Sequence, residues 1–450
     1  MANQYDLVVV GAGYAGLMAA KTAGENGLKT ALIEMKHDIT KPRRADCQTL
    51  LPMAEGEDYL EETVNYDPKS GIIKFVKNDL SFKYDGPYRN IYAFHFYSID
   101  GEFVKFGEPS EQRKLGDKGR ISIALDKSKA LSSLLKQVKT AGVEVFPGMV
   151  VTGVSKIDGA VKVTTNTGKD FTGTFAIAAD GANSRIAQIL GFNKDRGYYS
   201  SMTVAGYYSK NLKVPDPDTA YYIGAQYEKT SLITAIVPRP YEKEHVVVFI
   251  SVDCRVDLLK FYKYLTEETK LSSWFKGAKS ELVNSSCNNM WSTIEKPYKD
   301  NVLLIGDVIW CQESENFGAL YSGGMAARSV ANAIKNNNPT EEGIKGYLKW
   351  WDSAFYNNPK YQRDQLMANY LLGIVLSNEE ISYLFSKINV TLKGSMHPYL
   401  LLTDLGKAIG PIAPEIQKEK PQILAGLGRT QQESPAEILK DEAAAGFPNR

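Results

Sequence analysis

The sequence predicts an α/β chain: a parallel nucleotide-binding sheet, a β-rich second part and a helical C-terminal region. Three observations carry this. An apolar strand at Asp6–Val10 runs into the glycine-rich turn Gly11-Ala12-Gly13-Tyr14-Ala15-Gly16 and then into helix-like sequence to Ala23. Residues 190–290 are rich in tyrosine and β-branched side chains, as in Thr219–Gly224 and His245–Val252, and read as an antiparallel sheet. Residues 338–440 carry helical patterning.

The first element has a mechanism. A second apolar strand, Lys29–Ile33, ends on Glu34. Strand, G-x-G-x-x-G turn, helix, second strand and terminal acid form a dinucleotide-binding unit. Gly11 permits the tight turn, Gly13 lets a pyrophosphate approach the backbone, and Gly16 lets the helix pack on the strand. The helix N-terminus offers free N–H groups to phosphate. Glu34 suits a ribose hydroxyl and would repel a 2′-phosphate. The fold is therefore expected to be Rossmann-like.

The remaining elements follow in order. Residues 36–75 carry the chain past the cofactor. Ile91–Phe106 alternates, turns at Asp100-Gly101 and alternates again, which predicts a hairpin. Leu131, Leu134, Leu135 and Val138 share one face of a helix over Ala130–Ala141. Short strands are expected within 143–147, 150–154, 161–165 and 174–178. The apolar runs Tyr370–Leu376 and Tyr399–Leu402 would form helix-bundle core, line a long apolar channel or rest on a membrane surface. The last twenty or so residues are expected to be poorly ordered.

Composition sets bounds. The 450 residues suit two or three domains, and 43% hydrophobic residues are enough for a large core. Lys plus Arg number 53 and Asp plus Glu 52, so nothing draws the chain towards nucleic acid. No leader is expected, because the first apolar run is the strand itself. No stretch reaches the roughly 18–20 apolar residues of a membrane span. A cytoplasmic protein is expected, with membrane association left open. The four cysteines are scattered without a CxxC, against an iron–sulfur or zinc module, and no metal is expected.

Two later motifs sharpen the reading. Thr174–Arg185, TFAIAADGANSR, is a strand ending in Asp-Gly; Lys299–Asp307, KDNVLLIGD, is a turn, a buried strand and Gly-Asp. With the first glycine turn, these resemble, in order and separation, the three signatures of FAD-dependent oxidoreductases of the para-hydroxybenzoate hydroxylase fold. The resemblance covers about residues 1–340. It implies FAD, an oxidoreductase, and a discontinuous FAD domain of 1–75, 107–188 and 290–340. The substrate domain would be 76–106 and 189–289, and the helical region 341–450. It implies cofactor contacts from Gly11, Gly13, Ala15, Gly16, Glu34, Met35, Arg44, Val151, Asp180, Asp307, Gly323 and Gly324. A helix opening near Gly323 and Gly324 would face flavin N1 and O2, where negative charge develops on reduction. Asp180 and Arg185 resemble residues linking the FAD core to the nicotinamide route, with a surface turn as the alternative. Arg43 or Arg44 would pair with phosphate.

The departures point to a subgroup. Aromatic hydroxylases continue the last motif as GDAAH with a following proline; here Gly306-Asp307-Val308-Ile309-Trp310-Cys311 has neither. Halogenases carry WxWxIP, which Trp291-Ser292-Thr293-Ile294 does not match. Geranylgeranyl reductases carry YxWxFPK, for which Ala235–Arg239 keeps the proline and the basic residue. That subgroup is nearest. It implies reduction of carbon–carbon double bonds in a hydrophobic, isoprenoid-like substrate, with hydride leaving flavin N5. The electron donor is open between NAD(P)H, ferredoxin and another partner. Aromatic hydroxylation and simple flavin electron transfer are the alternatives. Cys47 and Cys311 both follow segments expected near the isoalloxazine, and are read as a thiol pair or a shielded proton donor.

Overall fold

The structure is a computed structural model that describes residues 4–361 and 370–444, excluding the side chains of 4, 311–314 and 441–444. The expected poor order of the last twenty or so residues is not seen over 435–444, which form the helix Pro435–Ala444; residues 445–450 lie outside the described range.

The opening unit forms as the sequence predicts: β1 is Gln4–Val10, α1 is Tyr14–Glu25 and β2 is Thr30–Glu34. Both strands are apolar, as strands covered on both faces of a parallel sheet must be. Five strands run parallel in the order Glu144–Pro147, β2, β1, Asp170–Ala178 and Val302–Leu304. Val151–Ile157 and Ala160–Thr165 extend the sheet as an antiparallel pair. The register sets Val10 beside Ile33 and Ala178, and Ala178 beside Leu304. The carboxyl ends of the strands thus finish together.

Helix α1 is buried from Tyr14 to Ala23, because helices Lys127–Thr140 and Cys311–Lys335 pack against it. The first begins at Asp126, whose carboxylate accepts from Lys129 N at 2.9 Å as an N-cap. Ala130, Leu131, Leu134 and Val138 are its buried stripe.

The second large sheet has eight strands. Its order is Lys279–Trp291, Tyr198–Lys210, Glu244–Ser251, Thr230–Pro238, Thr219–Tyr227, Ala93–Ser98, Phe103–Phe106 and Thr391–Leu392. The predicted hairpin is there as Ala93–Ser98 with Phe103–Phe106. One face packs on Leu371, Leu376, Leu384, Ile416 and Ile423, so the Tyr370–Leu376 run is largely core.

Three details differ from expectation. A small sheet, Val64–Asp67, Ile72–Phe75 and Leu80–Lys83, alternates buried and more exposed residues, and a boundary at 75/76 falls inside its second hairpin. Phe75, Leu80 and Phe82 share the core of the parallel sheet. The boundary at 289/290 likewise falls within the strand Lys279–Trp291. The C-terminal region is not purely helical, since Thr391–Leu392 pairs with Lys105 and Phe106.

Candidate functional site

The aligned carboxyl ends build one edge. Gly11 N donates to Ile33 O at 2.8 Å, Ala179 N to Val10 O at 2.8 Å, and Ile305 N to Ala178 O at 3.1 Å. Gly11 has φ +100°, and a Cβ there would lie 2.3 Å from Ala179 O. A Cβ on Gly16 would lie 1.8 Å from Gly11 O, so α1 closes directly on the turn. A Cβ on Gly13 would meet nothing within 4 Å. The three glycines therefore divide as the fingerprint requires: two hold the turn, and one leaves its outer face clear for a ligand. No side chain caps α1, so its first N–H groups remain for an anion.

Glu34 is buried, and its carboxylate accepts from Ala12 N at 2.6 Å and Lys36 N at 2.8 Å. Lone pairs remain for a ribose hydroxyl. Met35 is 54% exposed beside it. Met149 N donates to Glu34 O and Gly148 N to Lys36 O, both at 3.0 Å, which draws the segment before Val151 to the same end. Val151 itself is buried, so only its backbone faces this place.

Arg44 Nη1 donates to Asp307 Oδ2 in a part-buried ion pair. Asp307 sits in the 3₁₀ turn Gly306–Val308 directly after the strand Val302–Leu304. The same guanidinium would lie 3.8 Å from a Cβ on Gly181. The central and late motifs thus converge on Arg44. Nearby, Lys127 pairs with Asp46.

Two expectations are corrected. Asp180 does not reach outward: it accepts from Ser184 Oγ at 2.6 Å, Arg185 N at 2.9 Å and Ile186 N at 3.2 Å. It secures the start of the helix Arg185–Ile189, and burial raises its pKa. Arg185 is exposed. Gly323 and Gly324 do not open a helix; they lie inside Cys311–Lys335. A Cβ on Gly323 would lie 2.2 Å from Ala15 O, and one on Gly324 would lie 2.5 Å from Leu80. The smallness of Gly323 lets this helix press on α1, and that of Gly324 lets it press on Leu80 of the small sheet. Ser322 Oγ accepts from Gly306 N at 3.1 Å in the same contact. The helix breaks at Glu315 (φ +48°, ψ −179°), so its regular run opens at Asn316 instead. Asn316 Nδ2 donates to Thr49 O at 2.7 Å.

Cys47 is half-buried, with Sγ 3.8 Å from Tyr222 Oη on the second sheet. Burial and the nearby Glu315 push its thiol up to about 12, so it stays protonated. The side chain of Cys311 lies outside the described residues, and the Cys47–Cys311 pair is not placed. Two other thiols meet: Cys287 and Cys254, both exposed. Arg239, the basic residue of the reductase-like segment, is buried. It donates to Glu244 Oε2 at 2.7 Å and to Asp126 Oδ2 at 3.5 Å, and stacks 3.4 Å over the Tyr208 ring. It joins the N-cap of the helix Lys127–Thr140 to the second sheet. Glu315, Tyr222, Lys127 and Asp126 carry no local motif that would single them out.

A model of the FAD binding domain matches residues 4–312. The chain belongs to that family. It is an FAD-dependent oxidoreductase. It is 25% identical to a digeranylgeranylglycerophospholipid reductase of Methanococcus vannielii over 437 residues, 94% of this chain and 97% of that one. A reductase of the same name from Methanocella arvoryzae is 28% identical over 231 residues, about half of each chain (50% and 52%). The fold is shared with a geranylgeranyl bacteriochlorophyll reductase-like protein of Thermoplasma acidophilum, at TM-score 0.65 and 18% identity, over 94% of this chain and 100% of that one. Among the described residues no helix is long and apolar enough to cross a membrane.

Proposed function

We propose that the protein saturates carbon–carbon double bonds of a hydrophobic, isoprenoid-like lipid. The observation that carries this reading is the apolar cluster beside the parallel-sheet edge. Cys47, Phe96, Tyr222 and Tyr370 are partly buried against the apolar core of the second sheet, as are Leu401, Leu405 and Ile409 of the helix Pro398–Ile409. Such a lining suits an alkyl chain. The names of the relatives agree with a geranylgeranyl-bearing lipid.

The residues at the edge fit FAD. Gly13 and the open end of α1 would take the pyrophosphate. Glu34, with Met35 and the Val151 backbone, would hold the adenosine. Arg44 and Asp307 would flank the ribityl and phosphate region, and the Asn316 end of the long helix would face the isoalloxazine. Bound FAD supplies two-electron, hydride-equivalent chemistry. The apolar cluster orients the chain and excludes water.

Helix Pro398–Ile409 adds an outer apolar strip, with Leu400 exposed and Leu401, Leu402 and Leu405 half-buried. Peripheral contact with a lipid surface is proposed for it. Cosedimentation with vesicles, compared with Leu400→Glu, tests this.

The test of function is an anaerobic incubation of the holoprotein with digeranylgeranylglycerophospholipid, using dithionite, NADH, NADPH or reduced ferredoxin as donor. Product that gains two hydrogens per reduced bond is expected. Oxygen incorporated from O₂ into an aromatic compound, with the lipid untouched, would promote the hydroxylase reading. The same panel identifies the donor.

A further inference from the structure

We propose that Glu315 is the acid that delivers a proton to the substrate carbon opposite the one receiving hydride. This rests on the reduction proposed above.

The backbone points to it first. Glu315 has φ +48° and ψ −179°, a conformation that belongs to glycine. Glycine is plentiful nearby, at Gly318, Gly323 and Gly324. A glutamate held in a glycine conformation, at the break where the helix opens, indicates a task for its side chain. The anchor is local: Asn316 is bound to Thr49 O, two residues from Cys47.

The surroundings define that task. Glu315 acts electrostatically on Cys47 and Tyr222, and Asp307 acts on it. The neighbour of Glu315, Asn316, is held to Thr49 O at 2.7 Å, and Cys47, two residues before Thr49, lies 3.8 Å from Tyr222 Oη of the second sheet, so the break at Glu315 sits next to the junction of the two sheets. Among the described residues, Tyr370, which acts on Tyr222, and the pairs Arg44–Asp307 and Lys127–Asp46 also face this region. Burial, with the negative charge of Asp307, pushes the Glu315 carboxyl up to about 7. Cys47 is pushed up to about 12 and Tyr222 well above its ordinary value, both chiefly by burial. Of these three, only Glu315 exchanges a proton near neutrality.

The step balances. The C=C π bond, the Glu315 O–H bond and the hydride-bearing bond of the reduced cofactor break, two C–H bonds form, and the cofactor is left oxidised by two electrons. The hydride and its electron pair come from the two-electron-reduced cofactor. The remaining carboxylate recovers its proton from water.

The test uses holoprotein with digeranylgeranylglycerophospholipid and dithionite. Glu315→Gln should keep its FAD and its reduction by dithionite, yet lose about 100-fold in alkene reduction. Wild-type turnover should fall above about pH 7, and the variant's residual rate should lack that limb. Glu315→Gly, freed of strain, should fold at least as well and be equally slow. A second readout needs no turnover. Infrared difference spectra, with and without FAD, should show a protonated carboxyl band below neutrality that Glu315→Gln lacks. Wild-type-like turnover by Glu315→Gln, or absence of that band, overturns this proposal alone. Wild-type protein that never saturates the lipid overturns the proposed function and this step with it.

Discussion

The guanidinium of Arg44 lies against the carboxylate of Asp307, across 263 residues of sequence. The contact ties the loop after β2 to the turn after Val302–Leu304. It brings two separate motifs to one edge and leaves both groups partly solvated. Solvent screens the pair, so its own worth to stability is modest, on the order of 1 kcal/mol or less. Its larger effect falls on cofactor binding. Arg44→Gln should weaken FAD binding about tenfold, consistent with loss of one charge-assisted bond. Fluorescence titration of apoprotein with FAD measures this. Unchanged affinity would remove Arg44 from the cofactor site.

The glycine positions predict separable phenotypes. A Cβ on Gly16 would strike Gly11 O at 1.8 Å, so Gly16→Ala should disrupt the fold itself. A Cβ on Gly13 meets open space. Gly13→Val should therefore give a folded protein, judged by circular dichroism and melting, that is colourless and not reconstituted by FAD. A yellow Gly13→Val protein would contradict pyrophosphate binding there.

Arg239 links the N-cap Asp126 of one helix to Glu244 of the second sheet while stacking on Tyr208. The group is buried, and removing the cation leaves two buried carboxylates without their shared cation, Asp126 keeping Lys129 N and Tyr241 Oη and Glu244 keeping Lys210. Arg239→Ala should cost about 3–5 kcal/mol in urea unfolding. Arg239→Lys should recover little, because the ammonium lacks the planar fork that bonds two carboxylates and stacks on a ring. A loss below about 1 kcal/mol would show that the pair is replaceable by water.

What the sequence makes legible follows from chain distance. Ala12 and Glu34 lie 22 residues apart and are joined by one βαβ turn, so their contact can be read from local pattern. Cys47 and Tyr222 are 175 apart, and Arg239 and Asp126 are 113 apart. Nothing local in either pair encodes the meeting. The glycines at 323 and 324 show a subtler failure. Small residues before apparent helical sequence suggest a helix start, but close helix packing demands small residues equally. Only the backbone break at Glu315 separates the two cases. The sheet at 64–83 was obscured because its strands are short, four residues each.

His397 predicts a pH dependence of stability. Its Nδ1 accepts from Tyr399 N at 3.1 Å and Leu400 N at 3.3 Å, capping helix Pro398–Ile409. Nε2 lies 2.9 Å from Asp58 O, which fixes the tautomer with hydrogen on Nε2. The neutral ring therefore satisfies both partners, and a proton on Nδ1 would destroy the cap. Burial lowers its pKa from 6.5 to about 4. The unfolded chain thus binds the proton more readily between those values. Stability from this group is present above 6.5 and is lost as pH falls towards 4, by about 3 kcal/mol in all. His397→Asn keeps an oxygen acceptor at the cap without a titrating ring. Its unfolding free energy should lie below wild type at neutral pH, through lost packing, and fall less steeply between those limits. Parallel acid-dependent slopes for the two proteins would show that His397 is not the group responsible.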